Sequence, residues 1–208
     1  MINVITSNFI LRAISGLFIL FIGWGIFSYE WIKDIFVIVL LLLSFYELNF
    51  FQPLRWSVVF YLAMIVVSCL SAFFFNRNIF FILLVCSWLH DTGGYVFGKL
   101  IGGPKILPSV SPNKTWAGFL GGWGMMTIFL FMTHHISYFV TPFEALLINA
   151  ICLIGDLIES KLKRIYEIKD SSQLIPGHGG ILDRFDAFLF LHFCFALYAL
   201  LIGPWLSH

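Results

Sequence analysis

Asp156, Glu159, Ser160 and Lys163 follow one another at i, i+3, i+4 and i+7. On a helix that spacing makes one face. Asp183 and Asp186 stand three apart, again one face if a helix begins there, with Asp183 in or near its first turn. They belong to the run HGGILDRFD, residues 178–186, which ends directly before an apolar segment starting at Ala187. Carboxylates from two helices facing one space suit a hard divalent cation. Mg2+ takes oxygen ligands and is usually held by one or two carboxylates plus substrate phosphates. Asp156, Glu159, Ser160 and Asp183 are the candidate ligands, with Asp186 beside them. Lys161, Lys163, Arg164, Lys169 and Arg184 then read as phosphate partners, arginine being suited to two-pronged contacts. Topology alone could also explain the lysines, and for Lys161 both readings stay open.

Two glycine-bearing loops add to this set. In PGHGG, Gly177, Gly179 and Gly180 allow positive φ and close approach of backbone to a ligand. His178 sits among them, with no second histidine at ligand spacing. In GGPKILPSVSPNKTWAG, Lys105, Ser111, Asn113, Lys114 and Thr115 precede a helix expected to start near Trp116. Free N–H groups at a helix start, with hydroxyls and a lysine nearby, can cradle phosphate. Ser-Pro-Asn is equally an ordinary turn, and Thr115 an ordinary N-cap. Neither a P-loop pattern nor a Gly-x-Ser-x-Gly elbow occurs.

These residues need elements to hold them, and composition says which kind. Of 208 residues 60% are hydrophobic and only 11% charged, where roughly a quarter charged is usual for a soluble domain. The expected class is an all-α integral membrane protein. It is a polytopic helix bundle forming one domain over residues 1–208. A spanning helix needs about 20 mostly apolar residues, and seven stretches qualify: 9–28, 35–51, 56–75, 79–100, 116–134, 139–158 and 182–205. Spanning strands are not expected, because the apolar runs are continuous rather than alternating. The first run lacks a basic region followed by a cleavage site, so it is expected to stay as an anchor. Cys69, Cys86, Cys152 and Cys194 lie inside apolar runs at irregular spacing and read as small buried hydrophobes. The net charge of +1 argues neither for nor against nucleic acid.

Basic residues set the orientation. With the N-terminus in the cytoplasm, that side holds Arg12, Arg55, Lys99, Lys105, Lys114, Lys161, Lys163, Arg164, Lys169 and Arg184, against Lys33 and Arg77 outside. Whichever way the bundle points, the fifth and sixth stretches lie between the two long polar loops. Both loops must therefore emerge on one face. A charge within a membrane costs about 2.5–3.5 kcal/mol even on the lenient scale. Ion pairing between helices can explain any one such charge, but not a cluster of carboxylates beside a cluster of lysines at one end.

The run from Ser160-Lys161-Leu162-Lys163-Arg164 through Lys169-Asp170, Ser172, Ile175-Pro176, His178-Gly179-Gly180-Ile181 and Asp183-Arg184-Phe185-Asp186 resembles the signature of phosphatidate cytidylyltransferases, also called CDP-diacylglycerol synthases. Upstream pieces agree: Asp91 with Gly93-Gly94, Gly98-Lys99, Ser111-Pro112-Asn113-Lys114-Thr115, and Gly155-Asp156 with Glu159-Ser160. The resemblance covers residues 85–190, the catalytic signature region. Residues 1–80, the N-terminal apolar helices, match only in being apolar, with Glu47 near a helix end. The chain is shorter than the usual family member, which carries more N-terminal helices.

The resemblance implies transfer of a cytidylyl group from CTP to phosphatidic acid with Mg2+, a second cation being left open. Asp156, Asp183, Asp186, Lys163 and Arg164 would be catalytic. Ser111, Asn113, Lys114, Thr115, Lys169, His178, Gly179, Gly180, Arg184 and Asp91 would bind substrate. Asp91 could instead contact metal, or be the buried partner of a lysine. The implied setting is the bacterial inner membrane, with the site facing the cytoplasm, membrane lipid as partner and no nucleic acid. A homodimer is compatible with the chain. A CTP-dependent polyprenol kinase, or a cytidylyltransferase for another lipid, is the near alternative. A transporter is the distant one.

Overall fold

The computed structural model describes residues 21, 23–48, 51, 55–133, 141–174 and 179–206. Residues 9–20 and 22 of the first expected span, Arg12, Gly177 and His178 lie outside them. Residues 23–28 are helical. Six further helices are bounded: α1 (Glu30–Leu48), α2 (Trp56–Ala72), α3 (Arg77–Leu100), α4 (Trp116–Met132), α5 (Pro142–Ile165) and α6 (Leu182–Leu206). Between α3 and α4 lie β1 (Lys105–Leu107) and β2 (Ser111–Thr115), paired antiparallel. This hairpin sits in the long polar loop, where sequence suggested only a turn and a phosphate cradle.

The helix starts have local causes. Asn76 caps α3, its Oδ1 accepting from Ile79 N–H at 3.0 Å. Thr115 caps α4, its Oγ1 accepting from Gly118 N–H at 3.1 Å. At α5 a capping box joins Thr141 and Glu144 ahead of Pro142, satisfying amides that a helix start leaves free.

Apolar faces assemble the bundle around α6, which packs against α2, α3 and α5. Leu182, Phe185, Phe188, Leu189 and Leu191 are buried there. Phe188 meets Phe80 of α3 edge-on, and Phe185 meets Phe36 of α1. Large apolar side chains also cover the outside: Trp56 and Phe74 are each 88% exposed. Among the described residues, two segments, Arg77–Leu100 and Leu182–Leu201, are long and apolar enough to cross a membrane, while Trp56–Ala72 and Trp116–Met132 are apolar but shorter.

Glycines bring backbones together where the site is built. A Cβ on Gly93 would stand 2.6 Å from Gly122 Cα, and one on Gly118 would stand 2.5 Å from Gly94 O. The α3–α4 pair, the most extensive contact in the bundle, is thus backbone against backbone, as small residues allow in apolar surroundings. Gly155 does the same for α5 against α6, since its Cβ would come within 3.1 Å of Asp186 O. Gly93→Ala is expected to destabilise the purified protein by about 1–3 kcal/mol through overpacking, read as a lowered thermal midpoint. Gly94→Ala is the control: its Cβ would meet nothing within 4 Å, so its midpoint should hold.

At the end of α1 away from Glu47, Lys33 is buried, pairs with Glu30 at 3.2 Å and donates to Phe75 O at 2.7 Å. Arg77 donates to Ser28 O at 2.9 Å. The two basic residues assigned to the outer side therefore fasten three helices at the end opposite the carboxylate cluster.

Candidate active site

The hairpin lays Lys114 against α5, where its ammonium contacts Asp156 Oδ2 directly. Asp91, on α3, is 4.0 Å from the same ammonium. His90, one residue earlier, brings Nε2 to 3.4 Å from Asp156 Oδ2. Its Nδ1 lies 2.8 Å from Asn149 Oδ1, and Asn149 Nδ2 donates to Phe119 O at 2.9 Å. His90, Asn149 and Asp156 are all buried. Donor atoms of His90, Asp91 and Asp156 lie within 4.8 Å of one another. Two helices, α3 and α5, and the hairpin thus meet at one carboxylate.

A second group forms around Lys163. Its ammonium is 2.7 Å from Glu159 and 2.7 Å from Asp183. Asp183 also accepts from Ser171 N–H at 3.0 Å and from Gly180 N–H at 2.8 Å. The i, i+4 spacing read from sequence therefore operates as a lysine clamp between α5 and the start of α6. Asp186 is buried one turn further on and within electrostatic reach of Asp91, Lys114 and Lys163. It links the two groups. Four carboxylates (Asp91, Asp156, Glu159 and Asp183) lie within 4.0 Å of Lys114 or Lys163, and Asp186 lies within electrostatic reach of both lysines.

The loop between α5 and α6 is held from an unexpected direction. Glu47, at the end of α1, is fully buried. It accepts from Ser171 Oγ at 2.9 Å, Ser172 Oγ at 2.6 Å, Ile181 N–H at 2.6 Å and Leu182 N–H at 2.8 Å. The last two are amides at the start of α6, which a carboxylate satisfies well. Gly179 has φ of 82°, the positive value anticipated for this loop. Gly180 matters for space instead: a Cβ there would stand 2.7 Å from both Glu47 carboxylate oxygens.

Beside Asp91 and Lys114 opens a cavity of about 400 Å³. Lys99, Lys105, Lys114, Asn113 and Tyr95 line it, with His90 and Asp91. Three lysines lining one cavity next to an acidic cluster can receive a polyanion and a cation together.

Residues 3–202 match the family model described as the cytidylyltransferase family. The chain belongs to that family. It is similar to the phosphatidate cytidylyltransferase of Staphylococcus epidermidis, at 42% identity over 120 residues, 55% of this chain and 46% of that protein. It is similar also to that of Bacillus subtilis, at 42% over 128 residues, 57% and 48% of the two. The chain spans about half the length of the curated relatives it matches.

In this cytidylyltransferase-family chain the residues picked from sequence separate into three places. Asp156, Lys114 and Asp91 form the first group; Glu159, Lys163 and Asp183 form the second, with Asp186 between. Ser160 is half-buried on α5. Arg164, Lys169 and Arg184 are exposed and are not among the residues that line the cavity. Ser111 pairs with Leu107 in the hairpin and is not among the cavity residues. Thr115 is engaged as the cap of α4 while its residue borders the cavity. Sequence reasoning gave no role to His90, Asn149, Glu47 or Lys99. His90 and Asn149 carried a usable signal: polar side chains inside apolar runs usually face the bundle interior.

Proposed function

We propose that this chain transfers a cytidylyl group from CTP to phosphatidic acid, giving CDP-diacylglycerol and pyrophosphate, at the cytoplasmic face of a bacterial inner membrane. The observation that carries the reading is the Lys114–Asp156 contact. It closes the hairpin onto the carboxylates, so the lysine-lined cavity opens beside the acidic cluster. The names of the relatives point the same way.

In the reaction a phosphate oxygen of the lipid attacks the α-phosphorus of CTP, and the bond to pyrophosphate breaks. That oxygen is already ionised near pH 7, so the protein needs no strong general base. Its task is to bring two polyanions together. Lys99, Lys105 and Lys114 at the cavity offset their repulsion and receive the charge that develops on pyrophosphate. The donor set fits a small hard cation: an ammonium already sits on Asp156, and Asp91 and His90 stand around it. Asp91 and Asp156 would hold Mg2+, with His90 alongside. When bound, Mg2+ supplies neutralisation of phosphate charge. Glu159 and Asp183 hold Lys163 in place at the start of α6.

Location fits the substrates. The exposed Lys99, Lys105, Lys161, Arg164, Lys169 and Arg184 gather at the site's end of the bundle, whereas Lys33 and Arg77 tie the other. Basic residues favour the cytoplasm, where CTP is found. The exposed apolar helices suit lipid on their flanks. The test is purified full chain with labelled CTP, phosphatidic acid and Mg2+. Lipid-linked cytidine and pyrophosphate should appear one for one. Release of CDP instead would indicate a kinase, and no cytidine in lipid would refute the reading.

A further inference from the structure

Asn149 fixes how His90 presents its ring. Its amide N–H goes to Phe119 O at 2.9 Å, so its Oδ1 faces His90 Nδ1 at 2.8 Å as an acceptor. His90 Nδ1 therefore carries the donated proton, and the Nε2 lone pair is left facing Asp156 Oδ2 at 3.4 Å. A lone pair and a carboxylate oxygen at that distance repel unless a positive charge or donor lies between them. Here the Lys114 ammonium rests on the same Oδ2, and Asp91 lies 4.0 Å from that ammonium. An imidazole with one nitrogen bonded to an oriented acceptor and the other aimed at carboxylates is how proteins present a metal-ligating histidine. Lys114 also lines the open cavity, and its side chain is 28% exposed, against 8% for Asp156. The lysine therefore has space to leave, while the carboxylate is fixed.

We propose that Lys114 is the resident counter-ion of a cation seat built by His90, Asp91 and Asp156. Its ammonium yields that seat to a divalent ion and turns into the adjoining cavity, where it meets phosphate. One residue then serves two states: it neutralises the buried carboxylate before ligands arrive and clamps the nucleotide afterwards. The proposal rests on the cation reading given above, and it adds a nitrogen ligand and a competition to it. Like charges exclude one another from one seat, so the lysine weakens divalent binding when no nucleotide is present.

The probe is Mn2+ alone, which takes oxygen and imidazole ligands together. Its binding to purified full chain is followed by the paramagnetic signal of the free ion. Without nucleotide, Lys114→Met should tighten Mn2+ by tenfold or more. Lys114→Arg keeps the charge and should not tighten it. His90→Ala should weaken binding about 10–100-fold, and Asn149→Leu, which frees the ring, should weaken it within the same range. Unchanged or weaker binding in Lys114→Met would overturn the competition. Unchanged binding in His90→Ala would overturn the seat. If Lys114→Met is not recovered folded, equal Mn2+ affinity in Lys114→Arg and Lys114→Gln overturns the proposal by itself. Mn2+ binding that follows this pattern in a chain unable to transfer cytidine would sink the functional reading alone. Cytidylyl transfer without the pattern would sink only the seat.

Discussion

Asp156→Asn lowers turnover with CTP and phosphatidic acid by about 10²–10³-fold, the scale on which single charge-stabilising groups act. The substitution keeps the shape of the side chain and removes its charge. Asp156 is where Lys114, His90 and Asp91 converge, so the loss falls on the hairpin and the cation seat together. Folding should suffer less than catalysis, because Lys114 can still reach Asp91 and water. Incorporation of labelled cytidine into lipid gives the turnover, and the thermal midpoint of the same preparation reports on folding. Near-normal turnover would mean that Asp156 serves only to fasten the hairpin.

The second large effect concerns a residue that makes no contact with the cavity. Glu47→Ala leaves two hydroxyls and two backbone amides without their acceptor. A buried donor left without a partner costs about 1–3 kcal/mol. If even two of the four are stranded, the midpoint drops by roughly 5–20 °C, taking about 2–4 °C per kcal/mol for a chain of this size. Turnover should fall as well, since Asp183 and Asp186 ride on the first turns of α6 that Glu47 holds. Glu47→Gln, which keeps one oxygen acceptor but turns an NH2 towards donors, should lie between. An unchanged midpoint in Glu47→Ala would show that water replaces the carboxylate without cost.

Local and periodic information was legible in the chain; contacts made only by folding were not. The face formed by Asp156, Glu159 and Lys163 follows from helical spacing, and α5 continues to Ile165 as that spacing requires. Thr115 as a cap and Asp183 in a first turn were legible for the same reason. That the two loops leave the bundle at one end followed from counting helices between them; Lys114 of the first loop reaches Asp156 on α5, the helix that leads into the second. Glu47 could be placed near a helix end on the site's side but not given its partners, because they lie 124–135 residues away. The hairpin was hidden by its brevity and by Pro108 and Pro112, which read as turn residues. Lys163 read as a phosphate partner, yet its two short contacts are with carboxylates. Charge type and spacing cannot tell a clamp on ligand from a clamp on the protein's own acid.

The seam between α3 and α4 has a consequence for dimensional accuracy. Side chains between two helices act as a compliant gasket: they change rotamer and spread a displacement over many small adjustments. Gly93 against Gly122 and Gly118 against Gly94 leave no such gasket. The interval between the helices is the thickness of two backbones, a length that no rotamer change can alter. His90 and Asp91 sit on one side of that interval and Lys114, just before the first turn of α4, on the other. A productive site needs its groups held to about 0.5 Å. Here the gauge is the polypeptide itself, so neighbouring apolar residues can drift in size without changing the spacing of the charges.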